Sequence, residues 1–396
     1  MSYTHLIPSM DEYADRFKQL GESDFKIIKG LVKYGFSNVN KLAKDIGIPQ
    51  QTVSYHCRKL DKQNLVRFRA LIDETKLGLK SLVTLASCPL GKEDVSGRAL
   101  TCFPLWRYLA IVDGWRNGNF VRYSVPCDKE KDLHAFLNEI KRRNLITDYE
   151  IFSTASPNYP LLNLEFYSKK KGIPVFNWDK WAKDLDIFPE DKMVETTEDD
   201  EKAKFDLYDL IILRCLEINA RTNQRAIVKE MGRIFGEKKP TKYIPLVSRR
   251  IRDTIIRQDM IRGYRAYLFP NPVPTTIFTS YRLVFSNSAS LKRFIMGLSY
   301  LPYNTAYEKV LHKDELFIRL ALPAYEYSTM RSSFTALAQS GHLKEANLLF
   351  GDLANRTWDN VEIYQMFKDG TWNFSYGTAI EMLDKTVQAK PTSWTI

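Results

Sequence analysis

Hydrophobic positions near the start of the chain follow a helical spacing three times in succession. The stripes are Phe25, Ile28, Leu31 and Val32, then Val39, Leu42, Ala43 and Ile46, then Val53, Cys57 and Leu60. Such spacing places apolar side chains on one face of an amphipathic helix. Gly47-Ile48-Pro49 allows only a short break before the third helix, because proline suits a helix's first turn. With a predicted strand over residues 65–72, the pattern indicates a winged helix-turn-helix.

Residues 80–155 alternate between strand and helix patterns. We predict strands at 81–88, 106–113, 119–125 and 146–154, and helices at 92–101 and 128–144. The second helix carries Leu133, Phe136, Leu137 and Ile140 on one face. This βαββαβ order is the ferredoxin-like arrangement.

The whole pattern then recurs. The run from Phe120 to Pro126 has a counterpart from Phe317 to Pro323, 197 residues later, and Leu164-Glu165-Phe166-Tyr167 matches Val361-Glu362-Ile363-Tyr364 at the same offset. Solenoid repeats are only about 20–50 residues long, so this period indicates a duplicated multi-domain unit. One chain could thereby form within itself the contact that a single-copy relative makes as a symmetric dimer.

The second copy repeats the three helical stripes. They are Leu207, Leu210, Ile211 and Leu213, then Ala226, Ile227, Met231 and Ile234, then Val247, Ile251 and Ile255. Asp209 follows Asp24 by only 185 residues, so about a dozen residues are inserted before the strands, and we place them near the turn at 236–241. The two helix-turn-helix heads are therefore expected to be related but unequal.

These patterns predict an α+β protein, a tandem repeat of a winged helix-turn-helix and a ferredoxin-like domain, each repeat followed by a small hairpin. The hairpins are predicted around Lys169-Lys170-Lys171-Gly172, between strands at 164–167 and 173–176, and around Lys368-Asp369-Gly370, between strands at 361–366 and 372–374. The acidic segment 190–201 is the expected linker between the two copies. The predicted units are 1–75, 76–155, 156–203 (hairpin and linker), 204–270, 271–355 and 356–396 (hairpin and tail).

Composition narrows the function classes. Of the 396 residues 44% are hydrophobic and 27% charged, as in ordinary globular proteins, and no apolar run approaches the ~18 residues of a membrane span. No signal peptide is recognised, so a cytoplasmic protein is expected. Five scattered cysteines without CxxC predict neither disulfides nor a zinc site. The net charge of +11 favours a polyanionic partner, of which nucleic acid is the commonest.

The third helix of each copy offers the candidate DNA contacts. In copy one they are Gln50, Gln51, Thr52, Ser54, Tyr55, Arg58 and Lys59. In copy two they are Lys242, Ser248, Arg249, Arg250, Arg252 and Arg257, with Lys238 and Lys239 just before. Gln and Arg can bond base edges, whereas dense arginine mainly neutralises phosphates. The alternatives are an ordinary solvated helix face and, in copy two, a basic helix bound by the acidic linker.

Catalytic patterns are sparse. His5, His56, His134, His312 and His342 lie far apart, and GxSxG, Walker and GxGxxG motifs are missing from the sequence. We therefore predict no catalytic residues, no metal site and no cofactor. Trp106, Trp115, Trp178 and Trp181 could stack on bases, but core filling is the expected role of an isolated tryptophan.

The segment from Arg107 to Asp128, with Val125-Pro126-Cys127-Asp128 at its end, resembles the central strand pair of the Lrp/AsnC (leucine-responsive) transcription regulators. The resemblance covers about residues 20–155 and, less closely, 205–352. It implies a regulator that binds double-stranded DNA and responds to a small-molecule effector. The effector would lie near Asp113, Trp115, Arg116 and Asn117, but this hairpin lacks the family's Gly-Asp-x-Asp-Tyr signature, so an absent or altered amino-acid response is expected.

The resulting hypothesis is a DNA-binding regulator that acts as an intramolecular pseudo-dimer, with further self-association left open. Two alternatives remain. Siroheme decarboxylase subunits resemble the same two-domain family and act in pairs, so an enzyme with a polyanionic substrate fits this fold. An architectural chromatin protein would use the basic heads without strong sequence preference.

Overall fold

The computed structural model describes residues 4–5, 15–35, 39–63, 65–168, 173–190, 202–237, 240–268, 270, 275–351 and 357–388. Several predicted features lie outside these residues: most of a short helix expected within residues 1–20 with Ser9 as its cap, the Lys169–Gly172 turn, residues 191–201 of the acidic linker, and Lys238 with Lys239. No helix in the described ranges is long and apolar enough to cross a membrane.

Copy one contains every predicted element of the head and the sheet. After strand β1 (Thr4–His5) the elements are α1 (Glu22–Tyr34), α2 (Val39–Ile46), α3 (Gln50–Lys62), β2 (Arg67–Ile72), β3 (Leu79–Ser87), α4 (Glu93–Leu100), β4 (Trp106–Gly114), β5 (Gly118–Pro126), α5 (Glu130–Arg142) and β6 (Asp148–Thr154). A short hairpin, β7 (Tyr167–Ser168) and β8 (Ile173–Pro174), leads into α6 (Trp178–Lys183).

Copy two repeats this order. Its elements are α7 (Leu207–Ile218), α8 (Gln224–Phe235), α9 (Ile244–Arg250), β9 (Ile261–Tyr267), β10 (Thr276–Phe285), α10 (Ser288–Leu298), β11 (Asn304–Lys309), β12 (Glu315–Pro323), α11 (Tyr327–Gln339), β13 (Leu343–Gly351), β14 (Thr357–Asp359), β15 (Phe367–Lys368), β16 (Thr371–Trp372) and α12 (Tyr376–Gln388). The chain is thus an α+β tandem of helix-turn-helix and ferredoxin-like units, which confirms the predicted fold class.

The added segments differ from the prediction. Leu164–Phe166 and Ile363–Met366 form 3₁₀ turns where we predicted strands, so most of each predicted strand is wrong. The hairpin strands that follow are only two residues long. Each hairpin instead leads into a helix, α6 or α12, that the hydrophobic pattern did not reveal.

The strands of the two copies form one ring around a shared interior. The sheet order is β11-β12-β10-β13-β4-β5-β3-β6. Strand β13 pairs with β4 across the copies, and isolated bridges join the end of β6 to β11 on the opposite side. The shared interior of the ring buries, among others, Val83, Leu85, Phe120, Phe152, Phe317 and Leu349. The contact predicted for a dimer is therefore made within one chain.

The C-terminal extension of each copy packs on the other copy. Trp181 of α6 lies edge-to-face with Phe294 of α10, and its indole nitrogen donates to the Gly297 carbonyl at 3.0 Å. Reciprocally, Phe374 lies edge-to-face with Phe103 of copy one, with ring centroids 5.2 Å apart. Trp106, Trp178 and Trp181 are buried, which confirms core filling for these three, whereas Trp115 is exposed, so core filling is wrong for it.

The strands that follow the two helix-turn-helix units pair with each other. Strand β2 runs antiparallel to β9, from Arg67 opposite Tyr267 to Ile72 opposite Ile261. This shared ribbon replaces two separate wings, and α1 packs on β9 whereas α7 packs on β2. The heads consequently form one continuous body next to the strand ring.

Candidate nucleic-acid interface

The third helix of copy one separates cleanly into a buried and an exposed side. Val53 and Leu60 are fully buried, and Cys57 is buried beside them. The opposite side exposes the predicted contacts Gln50, Gln51, Thr52, Tyr55 and Arg58, and Ser54 is half-buried. Gly47 makes the tight turn before this helix with φ of 66°, a left-handed conformation that favours glycine.

Lys59 has a structural role that the sequence pattern did not suggest. Its ammonium lies 3.0 Å from Asp24 Oδ2 on α1, while His56 Nδ1 lies 2.6 Å from Asp24 Oδ1. Burial alone would raise the pKa of Asp24, but hydrogen bonds from the Gly21 N–H, His56 and Lys59 hold it below its usual value. Lys59 therefore ties the third helix to the first.

Arg250 has the same role in copy two. Its guanidinium bonds Asp209 at 3.0 Å and Asp206 at 2.6 Å, and both acids belong to the start of α7. Asp209 is fully buried, and burial raises its pKa to about 6. Arg250 and Lys59 are thus both held by ion pairs inside their heads, and their contacts with DNA stay predictions.

The other cationic candidates of copy two lie at the surface. Lys242 pairs with Glu237 at 2.6 Å, and Arg252 pairs with its neighbour Asp253 at 2.7 Å, in contacts where all four side chains are well exposed. Exposed pairs of this kind contribute little and open readily. Arg249 and Arg257 are exposed, and Ser248 is half-buried.

The third helix of copy two is also irregular. A π-helical turn, Ile251–Ile256, continues directly from α9, and Ile255 within it is fully buried. The buried stripes of the third helices show part of the insertion between the copies: Val247 follows Asp209 by 38 residues, whereas Val53 follows Asp24 by 29. Nine of the extra residues thus lie between the first and third helices, a span that includes the predicted turn.

The two heads are joined by direct hydrogen bonds. Arg221, before α8, donates to the Cys57 carbonyl of α3 at 2.9 Å. The Ala220 N–H donates to the Phe68 carbonyl at 2.9 Å, and Arg67 Nε donates to the Ile218 carbonyl at 3.1 Å. These contacts hold α3 and strand β2 of copy one against the α7–α8 turn of copy two.

The predicted effector residues lie at a junction between the copies. The Trp115 N–H donates to the Leu348 carbonyl at 2.8 Å, and Asp113 pairs with Phe350 in the β4–β13 register. Arg116 forms ion pairs with Glu150 and Asp148, while Asn117 Oδ1 accepts from the Gly114 N–H at 3.1 Å. The Arg116 guanidinium and the Asn117 amide oxygen thus have partners within the protein, although Arg116 Nε has none among the described residues.

Sequence reasoning missed a cluster of arginines where the ribbon meets the strand ring, of which Arg107 and Arg122 are buried and the other three half-buried. The cluster comprises Arg69, Arg107, Arg122, Arg262 and Arg265, together with Glu74, Glu217 and Asp359. One signal was available: Arg122 and its counterpart Arg319 interrupt strands that are otherwise buried and mostly apolar. No group of His, Cys, Asp and Glu suited to a metal ion occurs in the described ranges.

The fold and surface together define a tandem α+β protein with two fused helix-turn-helix heads. No family model and no curated protein matches the chain. Among solved structures, the siroheme decarboxylase NirDL is 12% identical with a TM-score of 0.49, covering 93% of this chain and 100% of its own. E. coli AsnC is 16% identical with a TM-score of 0.27, covering 33% of this chain and 89% of its own. The strand order and packing of the chain itself define its fold.

Proposed function

We propose that this protein binds double-stranded DNA and regulates transcription through two unequal heads held in one chain. The observation that carries the proposal is the exposed polar side of α3, where Gln51, Tyr55 and Arg58 project away from the buried stripe. In helix-turn-helix proteins the start of this helix meets base edges in the major groove. Glutamine and arginine there can bond adenine and guanine.

The second head makes a different contribution in this proposal. Arg249, Arg252 and Arg257 lie exposed within nine residues of sequence, which favours contact with phosphates over base readout. Head one would select the sequence and head two would add affinity. Identical heads read palindromic sites, whereas two unequal heads favour an asymmetric site.

The proposal is tested by selecting bound fragments from a random DNA pool at stated salt concentrations. An enriched asymmetric motif, lost in a Q51A/R58A variant, is the expected result. Enrichment of DNA without any motif would indicate an architectural protein. Failure to retain DNA at low salt, with the fold intact, would overturn the proposal.

An enzyme acting on a polyanionic substrate is the second candidate, and the arginine cluster at the ribbon is the observation that favours it. A neighbouring solved structure holds the siroheme decarboxylase NirDL with an iron-uroporphyrin III analogue, at 13% identity. The cavity at the arginine cluster measures about 50 Å³, whereas pockets for drug-sized ligands have roughly 300–1,000 Å³. A macrocycle would need a larger opening, so we prefer DNA binding.

We further propose that the Asp113–Asn117 hairpin does not sense free amino acids, because Arg116 and Asn117 are already bonded within the protein. A calorimetric titration with the common amino acids tests this. Micromolar binding that an R116A substitution removes would contradict it.

A further inference from the structure

A cavity of about 50 Å³ lies where the shared β2–β9 ribbon meets the strand ring. We call it the junction cavity. Its charged lining consists of Arg69 from β2, Arg262 and Arg265 from β9, Arg107 from β4, Arg122 from β5, and the acids Glu74, Glu217 and Asp359. Five guanidinium groups against three carboxylates leave two positive charges in excess.

The three carboxylates are already paired with other arginines. Glu74 bonds both Arg107, at 3.1 Å, and Arg122, at 2.9 Å. Asp359 lies 2.6 Å from Arg69, and Glu217 accepts from Arg107. The excess charge therefore falls on the two arginines of β9.

Neither Arg262 nor Arg265 has a carboxylate oxygen within 4.0 Å among the described residues. Arg262 donates only to neutral acceptors, Asn158 Oδ1 at 2.8 Å and the Pro157 carbonyl. Arg265 lies against the rings of Tyr159 and Tyr267, with its guanidinium carbon 3.9 and 4.2 Å from their centroids. Burial lowers the pKa of Arg262, as expected for a desolvated cation.

Two guanidinium nitrogens in this lining are buried without an acceptor. They are Nε of Arg122 and Nε of Arg262, judged within the part of the chain that the structure describes. Arg122 is only 7% exposed. A buried charged donor left unsatisfied is costly, and native proteins rarely keep one without a partner, water or ligand. The two unpartnered nitrogens are therefore evidence for a bound anion that accepts their hydrogen bonds.

We propose that the junction cavity binds a phosphate group, either as free inorganic phosphate or as a small phosphomonoester. Guanidinium forks match phosphate oxygens in geometry and charge. The two excess charges suit a dianion. A cavity of about 50 Å³ exceeds the ~10–15 Å³ that one water requires, so a compact tetrahedral oxyanion is the class of ligand that fits.

The bound phosphate would connect two parts of the molecule. Arg262 and Arg265 belong to the ribbon that carries both heads, whereas Arg107 and Arg122 belong to the strand ring. An anion between them would fasten the heads to the ring. Since a ligand that binds only the folded state stabilises it by mass action, occupancy is measurable as thermal stability without any DNA.

The test is thermal unfolding of the full chain in increasing inorganic phosphate, with sodium chloride adjusted to constant ionic strength. We expect the Tm to rise with phosphate and the rise to be largely abolished in R262Q. R142Q is the matched control, because Arg142 is an exposed arginine of α5 whose loss changes the net charge equally. Stabilisation common to wild type and R262Q reflects general salt exclusion and is subtracted.

A second variant and a competition experiment complete the test. R265Q removes the second arginine that lacks a carboxylate partner, although Arg265 donates to the Tyr267 hydroxyl at 3.1 Å, and it replaces R262Q should that variant fail to fold. Methyl phosphate, the smallest phosphomonoester, would identify a phosphomonoester ligand if it competes with radiolabelled phosphate at one site per chain, and no competition would identify free phosphate. An unchanged phosphate response in both variants, or no saturable phosphate binding by the wild type, would overturn the proposal, whatever the outcome of DNA selection.

Discussion

Phe120 and Phe317 pack edge-to-face inside the strand ring, with ring centroids 5.8 Å apart. They are direct counterparts in the duplication, because 197 residues separate them. The two copies therefore meet each other at equivalent positions here. In a two-chain dimer this would be one residue meeting itself, but here each ring can be changed alone.

The first prediction is a double-mutant cycle in which Phe120 and Phe317 are substituted separately and together. F120L and F317L should each destabilise the fold by about 1 kcal/mol, and their combined effect should depart from the sum by about 0.5–1.5 kcal/mol, the coupling of an aromatic pair. Urea unfolding measures each free energy. F120L with F285L is the control, since Phe285 lies in the separate outer core of copy two. A coupling no larger than that of the control pair would contradict the prediction.

The second prediction separates the two heads. Q51A or R58A should relax base preference at particular positions, by about 1–3 kcal/mol for each bidentate hydrogen-bonded pair that the substitution removes. R249A/R257A should instead weaken binding to every sequence and reduce the salt slope by about one unit for each phosphate that is no longer neutralised. Fluorescence anisotropy over a salt series measures both, with R142A as the control. Equal, sequence-independent losses of affinity from both sets would exclude a division of labour.

The third prediction concerns pH. The raised pKa of Asp209, about 6, means that its carboxyl binds a proton more tightly in the folded chain than in the unfolded one, where the pKa is about 3.9. Its stabilising contribution is therefore present below about pH 4 and is lost as the pH rises through about 6. The free energy of unfolding of wild type relative to D209N should fall over this range in urea titrations.

Asp24 supplies the contrast, because its pKa is lowered. Its contribution is present above the unfolded-state pKa of about 3.9 and is lost as the pH falls. The free energy of unfolding of wild type, taken relative to that of D24N, should therefore fall as the pH is lowered. Parallel pH profiles for D24N and D209N would show that the two carboxyls do not differ as described.

The fourth prediction tests the exchanged extensions. A protease site inserted between residues 190 and 202 should yield two fragments that stay together on gel filtration even when diluted. The reason is that Trp178 and Trp181 are buried in the core of copy two, and Phe374 packs against copy one. The same cleavage in W178A/W181A should let the fragments separate, since each such truncation costs about 3–5 kcal/mol. Prompt separation of the wild-type fragments would contradict the described packing.

Sequence patterns predicted what depends on local spacing. The buried stripe Val53, Cys57 and Leu60, both βαββαβ units and the copy-to-copy contact all follow from periodicity and from the 197-residue offset. Local spacing does not, however, predict which distant residues pack against each other. Hydrophobic Trp181 indicates burial, but nothing in its neighbourhood says that it packs on the other copy.

The same limit applies to the charged residues. Lys59 and Arg250 carry the charge expected of a DNA contact, yet their acidic partners lie 35 and 41 residues away in the sequence. Only the fold shows that these cations are engaged. They and the exposed residues of the third helices stay predicted contacts.

The exchanged extensions also have a consequence for synthesis. A ribosome completes copy one first, and domains commonly begin to fold as they emerge. Phe103 of that copy, however, packs against Phe374, and strand β4 pairs with β13 and β14. The apolar surface of copy one around Phe103 therefore stays exposed to solvent until almost the whole polypeptide has been made. Chaperone dependence during translation should follow from this late closure.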